Sequence, residues 1–207
     1  MLPPDAPSLV MYRASRLRSG LLVVSSLAFG WACGGPPAQL RVVTTAEFAE
    51  FVAVTDYLTD AERYGWSVVQ RTVFDYEVVE GATWRVPDGV DSAGARYPVT
   101  QVSHNDAVAY ARWAGARLPS YEEYWALTAD DERRVVVQDA RLYPASEVSA
   151  VGNAWELTTT RNAAGEVRLA GGSYLCSAAT CNGTDPDRAL YVSDDTGNSH
   201  ITIAVVE

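Results

Sequence analysis

The stretch Arg168 to Cys181, RLAGGSYLCSAATC, constrains the chain most, because it sets two of the three cysteines on one short loop. Val167 and Leu169 alternate as the end of a strand does. Gly171 and Gly172 permit a positive φ or a close backbone approach, and Ser173 follows where the chain re-enters an apolar step. Four residues separate Cys176 from Cys181, so a turn can bring both sulfurs together. Three chemistries are then open: a disulfide, thiolate binding of a soft metal, or a redox pair. C-x4-C is neither the C-x-x-C redox spacing nor half of a paired zinc motif, and the two histidines, His104 and His200, are distant in sequence. Spacing therefore leaves the choice open. A disulfide closing so short a loop would contribute about 2 kcal/mol by chain entropy.

A chain of 207 residues with 48% hydrophobic content, six Trp and eleven Tyr can bury a substantial core in one domain or two. Every basic residue is Arg, and the formal net charge is −10. That balance argues against nucleic acid or an anionic membrane surface as partner. Residues 1–33 are a separate object: Arg13, Arg16 and Arg18 precede the apolar run Leu21 to Ala32, which is too short to span a bilayer comfortably. The order of charge and then apolar run predicts a secretory signal beginning at Met1 or Met11. Cys33 after Ala32 points to lipoprotein-type cleavage and a lipid anchor, although Gly30 stands where a larger aliphatic residue is usual, and plain cleavage is the competing expectation. The protein is expected to be exported to the periplasm or cell surface and to be monomeric.

After a linker at 34–40, residues 41–207 read as one domain without internal repeats. Thr44 or Thr45 can cap a helix burying Phe48, Phe51 and Val52. Tyr57 to Ala95 reads as irregular, with short strands at Trp66 to Val69 and Val73 to Val79. Ser103 and Asp106 have capping-box spacing ahead of a helix over Ala107 to Ala114, closed by Gly115, and Ser120 with Glu123 open another through Tyr124, Trp125 and Leu127. Beyond lie an apolar run Val135 to Val137, a turn at Asn153 to Thr158, and a final strand Ile201 to Val205 with Ile201, Ile203 and Val205 on one face.

Four blocks in this order carry a resemblance: TAEFAEFVAVTDYLTDAERYG with GATWRVPDGVDS, then PVTQVSHNDAVAYARWAGARLPSYEEYWALTA, VGNAWELT, and RLAGGSYLCSAATC. Together they resemble the formylglycine-generating enzyme family, also called sulfatase-modifying factors. The resemblance implies an α+β single domain, related to the C-type lectin fold, with much irregular structure. It implies an O2-dependent oxidase whose Cys176 and Cys181 hold Cu(I) and convert a client cysteine in a sulfatase-like polypeptide to Cα-formylglycine. Ser173 and Trp155 match residues flanking that site, which should sit at the rim of a cleft. VGNAWELT resembles the family's calcium loop, with carbonyls of Gly152 and Ala154 and the side chain of Glu156 as ligands, and Ser149 where an Asn is expected.

The chain also departs from the family. Asp130 to Ala150 replaces a longer insertion, NGTDPDRAL replaces an Arg- and aromatic-rich strand after Cys181, and Thr180 replaces an aromatic residue. The closing N-x-G-F-R motif becomes Asn198-Ser199-His200-Ile201-Thr202. A second reading is therefore an inactive exported binding or display module with Cys176 and Cys181 as a disulfide. A non-haem iron enzyme is disfavoured, since two histidines without facial-triad spacing offer too few ligands.

Overall fold

The computed structural model describes residues 37–131, 141–176, 187 and 189–207, all within the unit Pro36–Glu207. The expected leader, Cys33, Val135 to Val137 and Cys181 lie outside the described residues.

Four helices are described: α1 Thr45–Thr55, α2 Asp60–Tyr64, α3 His104–Trp113 and α4 Tyr121–Leu127. Each opens with a reciprocal capping box, formed by Thr44 with Glu47, Thr59 with Glu62, Ser103 with Asp106, and Ser120 with Glu123. In each, the hydroxyl accepts the N3 amide while the acid accepts the cap amide, so two otherwise orphaned donors are satisfied. α1 buries Phe48, Phe51 and Val52 as its spacing predicts. Helix α2 falls where the sequence reads as irregular, because five residues are too few to show a period.

Among the described residues eight strands follow the order β1 Leu40–Val42, β2 Trp66–Gln70, β3 Tyr76–Glu80, β4 Trp155–Arg161, β5 Val167–Ala170, β6 Tyr191–Val192, β7 Ile201–Thr202 and β8 Ala204–Val206. They form a β1-β8 pair, a β2-β3 hairpin and a four-stranded sheet ordered β6-β5-β4-β7, in which only β4 and β7 run parallel.

Several boundaries differ from the sequence reading. β3 starts at Tyr76 rather than Val73, since Arg71 and Thr72 both donate to the Asp75 carbonyl and make a turn. The stretch read as a turn at Asn153 to Thr158 enters β4 at Trp155, where pairing with β5 and β7 overrides its turn-like composition. The single final strand is two, in different sheets, and Thr202 and Ala204 are as buried as Ile201, Ile203 and Val205. Alternation there marks two covered faces, not one. Pairing also begins inside the stretch read as linker, where Gln39 and Glu207 exchange backbone bonds.

The main core joins α1 and α3 to the inner faces of β4, β5, β7 and β8, with Phe48, Phe51, Tyr110, Leu157, Leu169 and Ile203 buried at its centre. Phe48 stacks on Tyr110 at 5.9 Å and meets the edge of Trp84 at 5.3 Å. A smaller cluster packs Tyr121 and Tyr124 of α4 on Val151 and Ala170. Short elements held by caps and by long-range pairing give the α+β fold with much irregular backbone that the resemblance implies.

Candidate active site

The turn after β5 is built by Gly171 and Gly172, at φ 87° and 83°, where a side chain would be strained. A Cβ on Gly171 would also run into the Tyr124 hydroxyl and the Glu156 carboxylate. This turn is stitched to the GNAWE turn by two backbone bonds, Gly152 N–H to the Gly171 carbonyl at 2.9 Å and Tyr174 N–H to the Asn153 carbonyl at 2.9 Å. A third segment joins through the Trp155 amide, which donates to the His200 carbonyl at 2.9 Å where β4 meets β7.

Ser173 sits at the centre of this junction and is fully buried. Its amide donates to Cys176 Sγ at 3.4 Å and its Oγ lies 3.8 Å from the same sulfur. The Leu175 amide donates to Ser173 Oγ, whose other neighbour is His200 Nδ1 at 3.3 Å. Burial pushes the His200 ring down to about 4, so it is neutral at physiological pH and can accept the serine proton. Cys176 is disulfide-bonded to a partner outside the described residues.

Cys176 and Trp155 belong to the same apolar cluster and are 4% and 3% exposed. Ser173 and Cys176 thus come together, and Trp155 joins them through His200, whose carbonyl accepts its amide, all beneath the surface rather than at the open rim expected from sequence. The reason is that Cys176 and Trp155 are part of the main apolar core. His200 was not among the sequence-derived site residues; a polar ring opening an apolar strand was the available sign. Next to the site lies a cavity of about 490 Å³, lined in part by Tyr174, Ser199, Arg71, Tyr97, Asp88 and Asp91. Amides of Asp91 and Val90 hold the Asp88 carboxyl below its ordinary pKa, which keeps a negative charge on this wall.

The residues predicted for calcium lie behind the same turn. Glu156 is 1% exposed; its Oε2 accepts the Tyr124 hydroxyl at 2.9 Å and its Oε1 has no hydrogen-bond partner among the described residues. Burial raises its pKa well above the usual carboxylate range. An orphaned, buried carboxylate oxygen fits a hard cation. Ser149 is buried, with its Oγ accepting the Val151 amide at 3.2 Å, while Gly152 and Ala154 form the buried turn leading to Glu156. Among the described residues no three His, Cys, Asp or Glu side chains gather at one point, so a cation here would depend on main-chain carbonyls.

Comparison with known proteins places residues 40–161 within a Sulfatase-modifying factor enzyme 1-like domain. The chain is similar to the formylglycine-generating enzyme of Thermomonospora curvata, 45% identical over 105 residues, which are 42% of this chain and 34% of that protein. It is 29% identical over 248 aligned positions to the formylglycine-generating enzyme of Mycobacterium tuberculosis, covering 77% of this chain and 83% of that one. Inactive C-alpha-formylglycine-generating enzyme 2 of Bos taurus is also similar, at 40% over 102 residues, with 40% of this chain and 34% of that protein covered. The match thus spans about a third of the Thermomonospora and Bos relatives. Among solved structures, PvdO from Pseudomonas aeruginosa superposes with a TM-score of 0.56 at 13% identity, over 80% of this chain and 77% of that one, a likeness of fold.

Proposed function

The chain belongs to the sulfatase-modifying factor family, and from that membership we propose that it is an exported oxidase converting a client cysteine to Cα-formylglycine with O2 and Cu(I). The observation that carries this reading is the buried junction where Ser173 meets Cys176 Sγ and, through His200, the start of β4 at Trp155, drawn from separate blocks of sequence. Cys176 and Cys181, once reduced, would hold Cu(I) as thiolates, the donors that soft ion prefers. Bound there, the metal would supply the O2 chemistry.

The chain's own residues do the rest. The Ser173 amide at Cys176 Sγ favours thiolate over thiol, and the apolar core to which Cys176 and Trp155 belong keeps water from the sulfur. Ser173 Oγ, held between the Leu175 amide and His200, fixes the turn that positions the Cys176 sulfur. The cavity beside Tyr174 takes the client backbone, and Asp88 and Asp91 favour a basic client residue over an acidic one. Loss of the Arg- and aromatic-rich strand after Cys181 makes the family's usual Cys-x-Pro-x-Arg peptide a poor substrate. Ca2+ would be held by Glu156 with carbonyls of Gly152 and Ala154 and help from Ser149, serving structure rather than chemistry.

A second reading is favoured by one observation: Cys176 is buried and disulfide-bonded, as in a noncatalytic binding module on the same scaffold. Anaerobic Cu(I) titration of the reduced full chain separates the two. The oxidase binds one Cu(I) per chain, Cys176→Ser and Cys181→Ser each abolish tight binding, and the copper-loaded protein consumes O2 with a cysteine peptide. Unchanged copper affinity in both variants, with no O2 uptake on any cysteine peptide, leaves the binding module standing.

A further inference from the structure

On a different face of the domain, α3 presents His104, Val108, Ala111 and Arg112, spaced so that they share one side of the helix, to a cavity of about 680 Å³. Its apolar lining is Val108, Ala111, Ala116 and Leu118. Its charged lining is Arg112, Arg117 and Arg161 against one carboxylate, Glu123, in a chain whose formal net charge is −10. Two of these arginines are already held. Arg117 pairs with both oxygens of Glu123, and Arg161 pairs with Asp194 at 2.6 Å while donating to the Gly165 carbonyl. Arg112 is exposed and makes no ion pair or side-chain hydrogen bond among the described residues. The paired arginines fix the walls, and the third leaves one uncompensated positive charge at the edge of an apolar hollow.

We propose that this cavity is a binding site for a small organic anion with an apolar body, such as an aryl carboxylate, whose ring lies on Val108 and Leu118 while its carboxylate meets Arg112. A guanidinium offers parallel donors that match a carboxylate, and the apolar lining lets the ligand body leave water. A cation of the same shape meets Arg112 and is repelled. This site shares no residue with the junction at Ser173 and Cys176 and is independent of the oxidase reading.

Calorimetric titration of the full chain with 1-naphthoate, 1-naphthalenemethanol and 1-naphthylmethylammonium tests it, three probes of one shape and different charge. Naphthoate is expected to bind one per chain and more tightly than the alcohol, with the ammonium weakest. Arg112→Gln should weaken naphthoate about tenfold and leave the alcohol unchanged, as loss of one charged hydrogen-bonding group would. Val108→Trp, at a position 37% exposed and so open to a larger side chain, should block naphthoate and the alcohol alike. Equal affinity for all three probes, no binding of naphthoate, or naphthoate binding untouched by both variants would overturn the proposal. Circular dichroism melts of the variants distinguish a lost site from a lost fold.

Discussion

Ser173 Oγ lies 3.3 Å from His200 Nδ1, so the turn that carries Cys176 is tied by a side chain to the residue immediately before the last pair of strands. The serine hydroxyl is shared between the sulfur and the ring, and loss of either partner frees it to rotate. If Ser173 positions the Cys176 sulfur, Ser173→Ala and His200→Ala should each lower O2 consumption by about tenfold. Because the two act as a unit, the double variant should fall little further, whereas Cu(I) affinity stays near that of the wild type. Additive losses in the double variant would show that His200 acts elsewhere.

Asp106 supplies a pH dependence whose sign is fixed. Its carboxyl is fully buried, accepting the Ser103 amide at 2.9 Å, the Tyr57 hydroxyl at 3.1 Å and the Asp60 amide at 3.2 Å. Desolvation, with the charge of Asp60 added, raises its pKa to about 6 from 3.8. The native state therefore holds a proton that the unfolded chain releases, and this contribution is complete below about pH 4 and lost as pH rises through 6. Stability of wild type minus that of Asp106→Asn should fall by about 2 kcal/mol from pH 4 to pH 7. His200 acts in the opposite direction over the same range, since its pKa is depressed to about 4, so the difference between proteins is the quantity to measure, by urea unfolding.

Gly171 and Gly165 separate backbone strain from steric clash. Both have positive φ, 87° and 85°, but a Cβ at Gly165 meets nothing within 4 Å, while one at Gly171 meets Tyr124 and Glu156. Gly165→Ala should cost about 1 kcal/mol, the strain alone. Gly171→Ala should cost about 3 kcal/mol or more, because two buried polar groups must shift as well. Equal melting temperatures for the two variants would contradict this.

Calcium should raise the melting temperature of the wild type and not that of Glu156→Gln. Because burial raises the pKa of the Glu156 carboxyl, a bound cation competes there with protonation. The calcium-induced shift is therefore expected to grow as pH rises. A shift independent of pH, or equal in Glu156→Gln, would place the ion elsewhere.

The helices were legible because their caps are local chemistry: Ser103 with Asp106 and Ser120 with Glu123 sit three residues apart in the sequence and make their bonds at that distance. The block GGSYLC gave Ser173 and Cys176, and the resemblance gave Trp155 and Glu156. Partners that depend on tertiary pairing were hidden. Nothing local tells that Tyr124 will donate to Glu156, 32 residues away, or that His200 will reach Ser173, 27 residues back. The division of Ile201 to Val206 between two sheets was hidden for the same reason, since each half takes its identity from a strand elsewhere, β4 for one and β1 for the other.

That last division sets an order of events during synthesis. Leu40 pairs with Val206, and β4 meets β7 only when Ile201 and Thr202 arrive. A chain emerging from its N-terminus can form α1, the β2-β3 hairpin and α3 early, since their contacts are short in sequence, but the closing strands must cross most of the domain to find their partners. His200 travels with them. The nest around Ser173 therefore cannot be completed before the final segment is released, and a growing chain carries Cys176 without its histidine neighbour until translation of the domain is essentially finished.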